Sequence, residues 1–282
     1  DRMRSEFLKT YLTFDETTLQ VDDLNMVNKK AFTLAEVLIT LGIIGIVAAL
    51  TMPSLIANYK KQEYVTQLKK AVSTIEQGFR KRMADIECTD LNCGGIQEFM
   101  YPDYFESEIK KNFEIVSACP AKPECMPRDK SGNLLKYKNL GEGYAAKGLK
   151  DYSIFILKSG AIIGLQDTFC APVKTTKAAG FDYNCAFVLI DVNGLKAPNQ
   201  YGRDVFYFLL NEMGLLVPMY GEQWSLSDSG TTNGDWRNKK DYCDTPSKTS
   251  SGLGCAARVI ENGWEMDYYC LLYTSPSPRD RS

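Results

Sequence analysis

The chain has 282 residues, 44% of them hydrophobic, enough for a globular core together with one membrane segment. Its formal net charge is -2 with basic and acidic residues interspersed, so the clustered Lys/Arg footprint of nucleic-acid binding is missing and no nucleic-acid partner is expected. It contains no histidine, which removes Ser-His-Asp and Cys-His catalysis, histidine zinc ligands and the commonest general base near neutral pH; no spacing singles out a carboxylate, lysine or tyrosine pair, and the expectation is a protein that is not an enzyme.

Residues 1–25 are polar and acidic, unlike the basic n-region of an export signal, and the first methionine placed to open a leader is Met26. They are expected to be sequence from upstream of the gene product, the alternative being a long cytoplasmic leader. Residues 26–31, Met-Val-Asn-Lys-Lys-Ala, read as a short basic leader. From Val37 to Tyr59 there is no charged residue, and about 20 apolar residues rising ~1.5 Å each span the ~30 Å hydrocarbon core of a bilayer. The run exceeds an ordinary signal-peptide core and passes into an amphipathic stretch with no small-residue cleavage site after it. Glu36 stands one residue before it. A carboxylate at mid-bilayer costs ~2.5–3.5 kcal/mol and is usually functional, whereas at the membrane face it is a plain boundary residue.

The segment Lys29-Lys30-Ala31-Phe32-Thr33-Leu34-Ala35-Glu36-Val37 resembles the processing site of type IV prepilins and type II secretion pseudopilins, and the likeness covers residues 26–60. In that family a membrane peptidase cuts before the Phe, methylates the new amine and leaves the apolar segment on the mature protein. The resemblance implies a cut between Ala31 and Phe32, Phe32 as the mature N-terminus, Glu36 as the acidic residue needed for assembly, and Pro53 as a helix-bending proline. Ala31 departs from the glycine usual before the cut; it is still small, and slower processing is expected. The implied partners are copies of itself and other pilin-like subunits, the prepilin peptidase, an inner-membrane assembly platform and the lipid bilayer. The implied location is the inner membrane, single-pass with a cytoplasmic N-terminus, and then a pilus or pseudopilus. Charge leaves the orientation open, since Lys29 and Lys30 oppose Lys60, Lys61, Lys69 and Lys70; the cysteines downstream favour an exported C-terminal body.

Past Pro53, Val65, Leu68, Val72, Ile75, Phe79 and Ile86 recur at the spacing of an amphipathic helix. That stripe is expected to pack on its own domain, with partner contact as the alternative. Residues 33 to about 86 then form one helix near ~80 Å, bent or loosened around Gly42, Gly45 and Pro53. The expected organisation is a hydrophobic transmembrane and assembly helix over 32–59, an amphipathic helix over 60–87, and an exported α+β body over 88–269, mainly antiparallel with disulfide-rich loops, pilin-like. Residues 270–282 resemble the in-frame translation of a transposase-type sequencing adapter and are set outside the fold.

Without Cys270 the cysteines are even in number and fall in sequence-local couples: Cys88 with Cys93, Cys119 with Cys125, Cys170 with Cys185, Cys243 with Cys255. No C-x-x-C occurs, so disulfides of an exported domain are preferred to zinc or thioredoxin chemistry, and roughly a hundred connectivities stay open. Tyr152–Leu157, Lys158-Ser159-Gly160 and Ala161–Leu165 predict a hairpin, and Cys185–Ile190 a strand. Val205–Leu210 is an apolar run that length does not assign to helix or strand. No cofactor is expected; Asp191, Asn193 and Asp204 offer three oxygens for calcium, yet turn chemistry explains the same residues without a metal. Ala256–Gly263 reads as a short helix ended by glycine, followed by Trp264, Met266 and Tyr268 at strand alternation. Trp224 and Trp236 in the loop-rich stretch 218–255 suit core packing or subunit contact before ligand binding.

The leading function is a structural subunit of a type IV pilus or type II secretion pseudopilus. The alternative is a binding protein displayed on the filament, an adhesin or DNA-uptake pilin, whose isolated body would bind a ligand. A membrane-tethered hydrolase is a third reading, against which the missing histidine counts.

Overall fold

The computed structural model describes residues 33–141, 149–166, 169–172, 182–220, 242–243 and 250–268. Helix α1, Leu34–Asp85, opens the described chain and runs for 52 residues. The chain divides into two units, Asp1–Ala49 and Leu50–Ser282. In the first, every described residue except Ala48 is exposed, and the backbone closes its hydrogen bonds within the helix, as a segment surrounded by lipid requires. Thr40 and Ser54 turn their hydroxyls back onto the Val37 (3.0 Å) and Thr51 (2.9 Å) carbonyls, so neither polar side chain is left without a partner. The helix continues without a break through Gly42, Gly45 and Pro53.

In the second unit α1 becomes the spine of a folded body. Tyr64, Val65, Leu68, Ala71, Ile75, Phe79 and Met83 are buried at spacings of three and four, which puts them on one face. The helix ends where Glu87 turns left-handed (φ 54°) and the Cys88 N–H bonds back to the Met83 carbonyl at 2.9 Å. A short helix follows, α2 over Pro102–Asn112, with proline at its start, Asp103 in the first turn and Lys110 and Lys111 in the last, each charge matched to the helix dipole. Arg82 of α1 is buried and pairs with Glu108 of α2 at 2.6 Å and with Glu98 at 2.5 Å. Glu108 also receives Lys111, so the buried carboxylate has a cation on each oxygen.

The sheet is antiparallel throughout its described pairings. β1 (Ile115–Cys119), β2 (Ser153–Leu157), β3 (Ile162–Gln166), β5 (Tyr183–Asp191), β6 (Val205–Asn211) and β7 (Leu216–Pro218) lie side by side in that order, and β4 (Ala171–Pro172) adds to β5. One face packs on α1, α2 and α3 (Cys255–Glu261) through Phe155, Ile163, Val188, Ile190, Phe206 and Phe208. The other face is covered by loop residues Met126, Leu135, Tyr137 and Tyr201, which meet Ile154, Ile162, Leu189, Tyr207 and Leu209. Gly164 leaves room on that second face: an added Cβ would come within 3.0 Å of the Tyr152 ring, whose hydroxyl bonds Tyr207 at 2.9 Å.

A long N-terminal helix followed by an antiparallel sheet with disulfides is the α+β arrangement expected from the sequence. The predicted hairpin is β2–β3 and the predicted strand is β5. The ambiguous apolar run is a strand, β6, and its residues alternate between the two buried faces, which is why no polar position breaks it. Trp264, Met266 and Tyr268 do not form the expected closing strand. Met266 and Tyr268 are buried and Glu265 and Asp267 exposed, but among the described residues no strand pairs with them, and Trp264 takes a left-handed turn (φ 67°) immediately after α3.

Candidate processing and assembly site

Helix α1 begins with a closed set of hydrogen bonds. The Thr33 hydroxyl accepts the Glu36 backbone N–H at 3.2 Å and donates to Glu36 Oε2 at 2.9 Å, while the Thr33 backbone N–H donates to the same carboxylate oxygen at 2.8 Å. This is a capping box, in which Thr at the cap and Glu three residues on satisfy each other's orphan groups. It holds the Glu36 carboxylate against the first backbone N–H of the helix, directly beside Phe32 in the chain. The signal is present in the sequence as Thr-x-x-Glu before an apolar run. Ala31 and Phe32 themselves lie outside the described residues, as do Trp224 and Trp236.

The segment that follows is long and apolar enough to cross a membrane, and none of its most apolar stretch is buried within the protein. Leu34, Leu38, Ile39, Leu41, Ile44, Ile46 and Leu50 are each at least 60% exposed. So continuous an apolar surface is not left in water, which makes a lipid bilayer its natural surroundings. Gly42 and Gly45 have nothing within 4 Å of where a Cβ would stand, so their bare backbone is open to whatever packs there.

Four disulfides pair the body cysteines: Cys88–Cys93, Cys119–Cys125, Cys170–Cys185 and Cys243–Cys255. Each joins the nearest couple in sequence. Three of them fix loops or ends beside α1, β1 and α3, and Cys170–Cys185 ties the segment of β4 to β5.

Asp191 and Asp204 are both fully buried at the β5–β6 connection. Asp191 Oδ1 accepts the backbone N–H groups of Asn193 (3.2 Å) and Gly194 (2.9 Å), and Oδ2 accepts the Tyr137 hydroxyl at 3.1 Å. Asp204 accepts the N–H groups of Gln200 (2.7 Å) and Asn199 (2.9 Å). Asn193 donates its side-chain amide to the Ala197 carbonyl at 3.3 Å. These oxygens hold turns closed, and among the described residues no three Cys, Asp or Glu side chains converge as a metal site. Burial pushes the Asp204 carboxyl up to about 6 and holds Asp191 well above the usual carboxylate range.

Residues 26–52 match the family described as the prokaryotic N-terminal methylation motif. No curated protein and no solved structure matches the chain. The matched residues contain Lys29-Lys30, Ala31, Phe32, the Thr33–Glu36 cap and the start of the apolar run, so the motif coincides with the segment set apart by its chemistry. This motif marks proteins of the type IV pilin and pseudopilin kind, which are typically non-enzymatic structural subunits, and here it takes in the start of a membrane-competent helix that leads to an α+β body carrying disulfides.

Proposed function

We propose that the chain is a prepilin-type subunit of a type IV pilus or type II secretion pseudopilus. It is cut between Ala31 and Phe32 by a prepilin peptidase, methylated on Phe32, held in the inner membrane by residues 32–59 with its body exported, and packed through α1 against copies of itself and other pilin-like subunits. The observation that carries this reading is the methylation motif over residues 26–52, lying at the head of an exposed apolar helix. The four disulfides favour an oxidising compartment for the body.

Glu36 is assigned the assembly role. Before the cut, its carboxylate is occupied by the Thr33 hydroxyl and N–H, so the helix carries the charge without an orphan group. Cleavage creates an amine that ordinarily titrates near ~8 and is largely protonated at cytoplasmic pH. Within a bundle of stems an unpaired charge costs ~3–5 kcal/mol, so pairing that amine with Glu36 of a neighbouring copy rewards one axial register and penalises the others. Gly42, Gly45 and Pro53 are the places where the stem can bend as it leaves the bilayer, since proline removes one helical hydrogen bond and glycine adds backbone freedom.

Mass analysis of the N-terminus from the native host tests the processing: Phe32 bearing one methyl group is expected, and a chain that keeps Lys29-Lys30 or loses the whole apolar run overturns it. Glu36→Leu tests the assembly role. Insertion and cleavage should persist while incorporation into filaments is lost, and normal filaments from this variant would refute the assignment.

A further inference from the structure

Within the second unit, the last part of the uncharged run presents a mixed apolar and basic surface. Leu50, Met52, Leu55, Ile56 and Tyr59 are exposed, and Lys60 and Lys61 follow at once. Ala57 is already buried, so the body begins to cover one side of α1 here. Glu63 offsets Lys60 through an ion pair at 2.7 Å, while among the described residues no acid is paired with Lys61.

We propose that Tyr59, Lys60 and Lys61 form a collar that docks the body on an anionic phospholipid surface at the non-cytoplasmic face of the membrane. The proposal rests on reading residues 37–59 as the membrane span. Tyrosine suits the headgroup level with its ring in the apolar layer and its hydroxyl in water, and lysines there extend their charge toward phosphates. The cut removes Lys29 and Lys30, so in the mature chain Lys60-Lys61 is the basic pair bordering the run. A second copy is the poorer occupant, since it would bring lysines against lysines, whereas an anionic headgroup complements them. Assembly then has to exchange headgroups for protein contacts at this collar.

The test uses the full chain co-expressed with a prepilin peptidase and equilibrated in vesicles of equal phosphatidylglycerol and phosphatidylcholine. Native mass spectrometry after detergent extraction counts the lipids retained. Preferential retention of phosphatidylglycerol is expected, with Lys61→Gln lowering the preference roughly fivefold and Lys60→Gln lowering it less, because Glu63 already offsets that charge. Lys70→Gln, further along the exposed side of α1, should leave it unchanged. Equal retention of the two lipids by the unaltered chain, or an unaltered preference in the Lys60→Gln/Lys61→Gln double variant, overturns the collar. The same spectra report the N-terminus: a chain that prefers phosphatidylglycerol but is never cut before Phe32 keeps the collar and sinks the processing, and a cut chain without preference does the reverse.

Discussion

At the scale of single residues, Thr33 and Glu36 act as one unit. Replacing an N-cap threonine by alanine costs about 1 kcal/mol of helix stability, while serine keeps the hydroxyl. Thr33→Ala should therefore fray the first turn of α1 and release the Glu36 side chain, and Thr33→Ser should not. Amide exchange over residues 33–38 in detergent reads this directly, and equal protection in the two variants would show that the hydroxyl holds nothing. Asp204 gives a second prediction, about pH. Its folded pKa of about 6 lies above the ~3.9 of an unfolded aspartate, so between those values the unfolded chain sheds a proton that the folded chain keeps. Stability contributed by the protonated form is complete below about pH 4 and declines as pH rises through 6, by a few kcal/mol. Melting of the body by near-ultraviolet circular dichroism at pH 4 to 7 should show this decline, and Asp204→Asn should make it shallower, leaving the part that comes from Asp191, whose carboxyl burial also holds well above the usual range. The capping pair was written in the sequence as Thr-x-x-Glu. The burial of the two aspartates was not, because an Asp-x-Asn-Gly turn on the surface and one in the core read alike.

At the scale of elements, legibility followed how each one is buried. The β2–β3 hairpin was readable because a Gly-containing turn divides two apolar runs; β6 was not assignable because both its faces are covered. β1 escaped notice as a five-residue edge strand with a bulge near Val116, and β7 is only three residues long. α2 carried its own marks in Pro102, Asp103 and the paired lysines, but its apolar stripe is only Phe105 and Ile109. What fastens α2 to α1 is equally hidden in the sequence, since Arg82 and Glu108 are 26 positions apart and look like surface charges. Arg82→Met takes one of the two cations from the buried Glu108 carboxylate, leaving Lys111, and should cost ~3 kcal/mol in thermal unfolding of the body. The double variant Arg82→Met/Glu108→Leu should recover most of it, because the cost lies in the charge left without its partner. A double variant as unstable as the single one would place the cost in lost packing instead.

At the scale of the whole molecule, the two units depend on different things. The stem hydrogen-bonds within itself and needs only an apolar environment, whereas the body joins an antiparallel sheet, packed on both faces, to four disulfides. The bridges close short loops, with sequence separations of 5, 6, 15 and 12. On a chain-entropy basis loops of this size stabilise by roughly 2–3 kcal/mol each, so all four together reach on the order of 10 kcal/mol, the size of a domain's entire stability. Reduction is therefore expected to unfold the body near physiological temperature while α1 residues 34–49 stay helical in detergent. Amide exchange across the chain with and without reductant separates the two responses. Protection should be lost first over β4 and α3, where Cys170–Cys185 and the buried Cys243–Cys255 bridge hold short elements in place, and it should be unchanged over residues 36–49. If the reduced body kept its protection, the sheet and its two packed faces would be sufficient alone, and the case for an oxidising compartment drawn from these bridges would fall with it.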